Sequence, residues 1–315
     1  MWNDFLFSIN TVVPIILMIA AGFCTRKIGL IGPEGVKQGN RLIFYIFLPL
    51  LLFSSIKSSN IDAAADLTTI VYAAVTTILC FLLLFFLIPR IARDTNTFGV
   101  LIQGIGRANY AIYGIPLVML IYPGSDVSIA AFIVICVIPI FNVFSTIALM
   151  MYGGGEKPSA WDIVRGVLLN PLIIGTLLGL IFLLLRISIP QVIDIPIRQL
   201  GGIATPLALF LLGANIDFSK VKTNLKLLTG AVVARLILFP VIFLAGAVLV
   251  GIRDINLAAL IALYGSPTAV SSFPMAQQFG GDVELAAQQV IFTTAFSGVT
   301  IFLWLFILKS CGYLA

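Results

Sequence analysis

The chain has 315 residues, 60% of them hydrophobic and only 10% charged. A soluble domain carries about 25% charged residues, so the composition argues against a soluble globular protein and for a polytopic membrane protein. The absence of histidine removes Ser-His-Asp and Cys-His catalysis, HExxH zinc chemistry and histidine proton relays, and the pI near 9.1 reads as basic loops facing the cytoplasm rather than as a nucleic-acid surface.

Apolar runs separated by charge clusters predict ten helices, at about 5–24, 37–56, 68–89, 97–121, 126–152, 161–185, 192–215, 223–250, 255–279 and 283–309. Each is long enough to cross a bilayer. The first reads as a retained helix and not a secretory signal, because its leader MWND has no basic residue while Arg26 and Lys27 follow the apolar run. The one candidate linker is GGGEKPSA at 153–160, between the fifth and sixth helices. Cys24, Cys80, Cys136 and Cys311 show no CxxC spacing and read as small core residues.

Prolines recur at half the chain length. Pro14, Pro33 and Pro49 return 157 residues later as Pro171, Pro190 and Pro206, and Pro116 returns after 158 as Pro274. The surroundings match as well: PIILMIAAG (14–22) against PLIIGTLLG (171–179), and PLLLF (49–53) against PLALF (206–210). Two copies of one unit are therefore expected, 1–157 and 158–315. With five helices per copy, the second must enter the membrane from the opposite side, which makes the repeat inverted. Eleven Lys and Arg lie in the loops after odd-numbered helices and five on the other side. The positive-inside rule then puts both termini outside the cytoplasm.

The fourth helix reads GIGRANYAIYGIPL (104–117) and the ninth YGSPTAVSSFPMAQQFGGD (264–282). Glycine and proline break the helical pattern in both, with Gly114, Pro116, Pro267 and Pro274 as the predicted helix-breaking residues. Freed backbone groups at membrane depth are tolerated only where protein or a water-filled cavity satisfies them. Two corresponding broken helices mark a midplane binding site. Helix N-termini there suit an anion. Asn109, Tyr110 and Tyr113 on one side, and Ser266, Thr268, Ser271 and Ser272 on the other, are the polar candidates. Arg107 lies within a turn of the first break; it either binds a carboxylate or snorkels to the cytoplasmic end. Arg235 reads as a packing or lipid-contact residue. All 13 Asp and Glu fall in loops or near helix ends, so no buried acid is available for proton coupling. Asn142, Gln288, Gln289 and Thr293 could supply oxygens to Na⁺ or simply join helices; no other metal is expected.

These stretches, together with GNRLIFYIFLPLLLF (39–53), NPLIIGTLLGL (170–180) and TPLALFLLGANI (205–216), resemble the auxin efflux carrier family, which includes plant PIN-formed auxin carriers and bacterial malate and malonate permeases. The resemblance spans essentially the whole chain. It implies a ten-helix elevator fold with crossover helices four and nine, a scaffold of helices 1, 2, 6 and 7, and a transport domain of helices 3–5 and 8–10. It also implies a small organic anion as substrate, with Asn109 on its carboxylate. About eight residues join the halves, so the long cytoplasmic loop of many plant members is missing, as in a compact bacterial-type member. Leu52 stands where plant members often carry a small polar residue.

The expected function is a secondary carrier of small mono- or dicarboxylates in the bacterial plasma membrane, driven by Na⁺, by H⁺ or by the anion's own gradient. The expected partners are the substrate anion, the lipid bilayer and a second copy of the chain, with no nucleic acid. A passive anion channel is the alternative. An intramembrane enzyme lacks the acid and base groups it would need.

Overall fold

The computed structural model describes residues 2–58, 66–122, 125, 128–153, 159–215 and 221–314, without the side chains of 2–12, 15, 111–112, 114–116 and 221–224. Most of the predicted linker at 153–160, together with Lys157 and Lys220 of the charge count, lies outside the described residues. Every regular element among the described residues is a helix. They are α1 (Trp2–Lys27), α2 (Pro33–Lys57), α3 (Leu67–Ile91), α4 (Thr95–Gly106), α5 (Tyr110–Ile121), α6 (Ser128–Tyr152), α7 (Ala160–Leu168), α8 (Pro171–Leu184) and α9 (Gln191–Asn215). After these come α10 (Val221–Val233, extended through Ala234–Leu238 and Phe239–Leu249), α11 (Asp254–Gly265), α12 (Ser272–Phe279) and α13 (Val283–Ser310). α2 and α10 each contain one π-helical turn, at Ile43–Phe47 and Ala234–Leu238.

Among the described residues, six helices are long and apolar enough to cross a membrane: α2, α3, α6, α9, α10 and α13. α7 and α8, bent by 53° at Leu169–Asn170, make a seventh if taken as one span. Predicted helices four and nine are each divided in two. The bend between α7 and α8 has a local cause. Asn170 accepts a hydrogen bond from the Leu172 N–H and Pro171 follows at the first helical position, where its missing N–H costs nothing. α3 and α13 start on aspartate caps, Asp66 and Asp282. Leu79, Leu82, Leu83 and Phe86 of α3 are exposed, as are Val299, Leu303, Phe306 and Ile307 of α13. Apolar side chains on the outside of a many-helix chain fit lipid as the surrounding solvent.

Several helix pairs pack backbone to backbone, two of them at matched positions. α1 meets α9 where a Cβ on Gly22 would stand 1.8 Å from the Phe210 carbonyl oxygen. α2 meets α8 where a Cβ on Gly179 would stand 2.9 Å from the Phe53 carbonyl oxygen. The two contacts fall at matched spacings: Gly22 to Gly179 is 157 residues, and Phe53 to Phe210 is 157 residues. Only glycine allows such close approach, and small residues at crossings are how membrane helices associate. α2 also packs on α9, so α1, α2, α8 and α9 form one contiguous group. α3, α4 and α6 pack together, as do α10, α11 and α13, and α5 lies on α11.

Candidate functional site: the crossing of two broken helices

The two interruptions meet. α4 ends at Gly106 and α5 begins at Tyr110; α11 ends at Gly265 and α12 begins at Ser272. The Asn109 N–H donates to the Pro267 carbonyl at 2.8 Å, and the Ala269 N–H donates to the Arg107 carbonyl at 3.1 Å. Ala108 and Thr268 thus form an isolated antiparallel β-bridge in an otherwise helical protein. The bridge answers the accounting problem of a broken helix in an apolar interior, where each unpaired backbone group is costly. The Thr268 hydroxyl donates to the Gly104 carbonyl at 2.6 Å, and the Thr268 N–H donates to the Thr293 hydroxyl at 3.0 Å. Gln103 donates its amide N–H to the Ser272 carbonyl at 2.9 Å.

A cavity of about 60 Å³ lies on one side of this crossing. From the breaks it is lined by Arg107, Asn109, Val270 and Ser271; Leu48, Leu51 and Leu52 of α2, Phe141 of α6 and Thr205 of α9 close it. That volume is room for a few water molecules. Arg107 is buried, 4% exposed, and its Nη1 points at the Met275 sulfur at 2.6 Å. A thioether is a weak acceptor, so among the described residues most of the five guanidinium donors have no acceptor of their own. Asn109 precedes α5 without capping it, and its Nδ2 is buried with no hydrogen-bond partner among the described residues. A buried cation and a buried unpaired amide donor therefore face the same small space. Leaving either unmet costs free energy, about 1–3 kcal/mol for a neutral donor and more for a charge. An anion in the cavity would meet both.

The sequence-predicted residues divide into two sets. Arg107, Asn109 and Ser271 line the cavity, and Arg107 does not snorkel. Tyr110, Tyr113, Ser266 and Thr268 do not line it. Tyr113 reaches the Ser297 hydroxyl at 3.4 Å and Tyr110 is 1% exposed inside the packed core. Ser266 bonds back to the Leu263 carbonyl at 3.4 Å, and Thr268 is consumed by the crossing itself. Of the predicted helix breakers, Pro267 sits in the second break. Pro274 is the third residue of α12, in its first turn, where a proline needs no N–H partner. Gly114 and Pro116 do not break the fourth helix: α5 runs through both without interruption, and their side chains lie outside the described residues. The interruption falls earlier, at Arg107–Asn109, because that is where the second break supplies hydrogen-bond partners.

The oxygen-bearing candidates for Na⁺ are dispersed. Asn142 on α6 donates to the Thr176 hydroxyl of α8 at 3.1 Å. Gln288 donates to Glu284 one turn earlier at 3.3 Å, whereas Thr293 bonds into the crossing. Gln289 lies against Gly104, where a Cβ would stand 1.8 Å from its Oε1. Sequence reasoning passed over Thr205, whose position repeats that of Leu48 beside the repeated Pro49 and Pro206. Of the two readings given for Arg235, packing or lipid contact, the structure shows the first: it is buried and bonded to three carbonyls.

Many apolar helices, lipid-suited outer faces and a polar break buried between them define a multi-pass membrane protein of the transporter class. The profile of the family described as "Membrane transport protein" matches residues 7–305, and the chain belongs to that family, which takes in the auxin-efflux-type carriers. A protein from Rhizobium meliloti named "Putative malonate transporter" is 26% identical over 310 residues, covering 95% of both chains. Proteins named "Uncharacterized transporter" from Methanothermobacter thermautotrophicus and Methanocaldococcus jannaschii are each 23% identical, covering 95% of this chain and 98% of their own.

Proposed function

We propose that the chain is a secondary carrier of small organic anions, with dicarboxylates of malonate size as its first candidates. The observation that carries this reading is the pairing of a buried guanidinium, Arg107, with a buried unpartnered amide donor, Asn109, in one small cavity between two helix breaks. A charge at membrane depth is costly without a partner, and a carboxylate fits a guanidinium in bidentate fashion. Asn109 and the Ser271 hydroxyl fix its orientation, and the leucines of α2 exclude larger polar solutes. The relative named for malonate supports the choice of probe.

The helices are read as ten spans in two inverted repeats, 1–157 and 158–315, with α4–α5 and α11–α12 as interrupted spans and both termini extracytoplasmic. The matched glycine contacts support this reading. α1, α2, α7–α8 and α9 form the scaffold, and the remaining helices carry the site past it in alternating access. No Asp or Glu is buried among the described residues. Transport is therefore expected to follow Na⁺ or the anion's own gradient, without titration of a buried acid.

The test is uptake by purified protein in liposomes with a panel of mono- and dicarboxylates, under imposed Na⁺ or pH gradients. Saturable uptake of a small carboxylate is expected. Unitary single-channel conductance would make the protein a channel, and no flux of any carboxylate would end the anion-carrier reading.

A further inference from the structure

Arg235 occupies the π-helical turn of α10 and is 3% exposed. Its Nε donates to the Ser266 carbonyl at 2.9 Å, Nη2 to the Leu263 carbonyl at 2.9 Å and Nη1 to the Ile105 carbonyl at 3.2 Å. These carbonyls belong to the C-terminal ends of both interrupted helices, α4 and α11. The last carbonyls of a helix have no intrahelical partner, and each helix end carries roughly half a negative charge. Two such ends converge on the crossing, so together they amount to about one negative charge buried beside the candidate anion site. One guanidinium, with its fork reaching all three oxygens, answers that charge. Arg107 has no such set of carbonyls, its one hydrogen bond among the described residues being to the Met275 sulfur. The two buried arginines thus divide the work: one is satisfied by the protein and the other faces the cavity.

We infer that Arg235 is a specificity-determining residue of the crossover site: by cancelling the negative ends of α4 and α11 it lets the crossing accept a carboxylate. The inference rests on the anion-carrier reading above and adds a residue that does not touch the substrate. A clamp that only held the two helices together would serve charged and uncharged ligands alike. A charge-cancelling residue matters more as the ligand carries more negative charge. The geometry also separates charge from fork. Lysine in place of arginine keeps the charge but cannot reach three carbonyls at once.

The experiment is equilibrium binding to the full chain in lipid nanodiscs. The probes are malonate, malate and succinate, and the tightest of them is then compared with its own monoamide. Wild type, Arg235→Met, Arg235→Lys and Asn109→Ala are measured side by side. Arg235→Met is expected to weaken the dicarboxylate at least ten-fold and the monoamide by less than three-fold, while Arg235→Lys keeps the dicarboxylate within about three-fold of wild type. Equal losses for both ligands, or a Lys variant as weak as the Met variant, would make Arg235 a packing clamp and overturn the inference. Should Arg235→Met fail to insert, the Lys variant decides alone: three-fold or less supports the inference, ten-fold or more overturns it. Loss in Asn109→Ala with unchanged Arg235 variants would remove this inference and leave the site. Wild-type affinity in Asn109→Ala, or no binding of any dicarboxylate to wild type, would remove the site reading and this inference with it.

Discussion

The first break spends three residues, Arg107 to Asn109, between two helices, and the second spends six, Ser266 to Ser271. The backbones do equivalent work, since each supplies one donor and one acceptor to the bridge that joins them. The side chains do not. The first break presents a guanidinium and a free amide to the cavity, whereas the second presents one serine hydroxyl and the extra turn at Val270–Ser271. The second break instead spends its polar groups on structure, with Thr268 holding Gly104 and Thr293, and Ser266 offering its carbonyl to Arg235. The crossing is thus a backbone device shared by the two breaks, and under the proposed reading recognition sits mainly in the first.

That asymmetry can be broken or sharpened by substitution. The largest effect is expected at Arg107. Replacing it by Gln removes the cavity's charge, and hydrogen bonds to charged groups contribute about 1.5–3 kcal/mol. Dicarboxylate affinity should fall by roughly 10- to 150-fold at about 1.4 kcal/mol per decade, read by equilibrium binding. The loss should exceed that for the corresponding monocarboxylate; equal loss would mean Arg107 acts on packing alone. Next come the two glycine contacts, which should behave alike if the halves are repeats of one unit. Gly22→Ala and Gly179→Ala each drive a Cβ against a carbonyl, at 1.8 and 2.9 Å, and overpacking of this kind costs about 1–3 kcal/mol. Thermal unfolding in detergent should drop for both, more for Gly22→Ala. An effect in only one copy would say that the halves are not equivalent there.

Ser271→Ala tests the weaker break. It removes one neutral hydroxyl, about 0.5–1.5 kcal/mol, so affinity should fall by about two- to ten-fold, always less than in Arg107→Gln. A larger loss than at Arg107 would reverse the assignment of recognition to the first break. The smallest effect is expected far from the crossing, at Asp66→Ala. Asp66 caps α3 through the Thr68 N–H at 3.1 Å and also accepts from Asn256 at 3.0 Å. Cap loss costs about 1 kcal/mol and should leave substrate affinity unchanged. The Thr69 hydroxyl holds this carboxyl below its ordinary value. The cap's contribution should therefore be full above the unfolded carboxylate pKa and fade as pH falls through the lowered one.

Much of this was legible in the sequence, and the rest failed for identifiable reasons. The 157-residue proline spacing aligns Gly22 with Gly179 and Phe53 with Phe210, but that these residues touch across helices was not legible from it. The broken fourth and ninth helices were legible from glycine and proline content. Their exact ends were not. Gly114 and Pro116 looked like the break, yet the helix tolerates both, and the chain opens where a partner strand 160 residues away in sequence (Ala108 with Thr268) completes its hydrogen bonds. Tyr110 and Tyr113 have the right chemistry but sit on the helix after the break, where each residue turns about 100° from the last and these face the core. Arg235 stood out as a basic residue inside an apolar run, but its partners were not legible. Its role exists only through carbonyls contributed by two distant helices.

The most direct test of the central claim, that the crossing of the two breaks binds the substrate carboxylate, is the dicarboxylate affinity of membrane-inserted Asn109→Ala. Its amide is buried and unpartnered, so truncation should spare folding while removing a donor to the anion, about 1–3 kcal/mol. The account predicts binding weakened by roughly 5- to 150-fold at an unchanged melting temperature. Wild-type affinity in a correctly inserted Asn109→Ala protein would contradict it and place the anion elsewhere in the molecule.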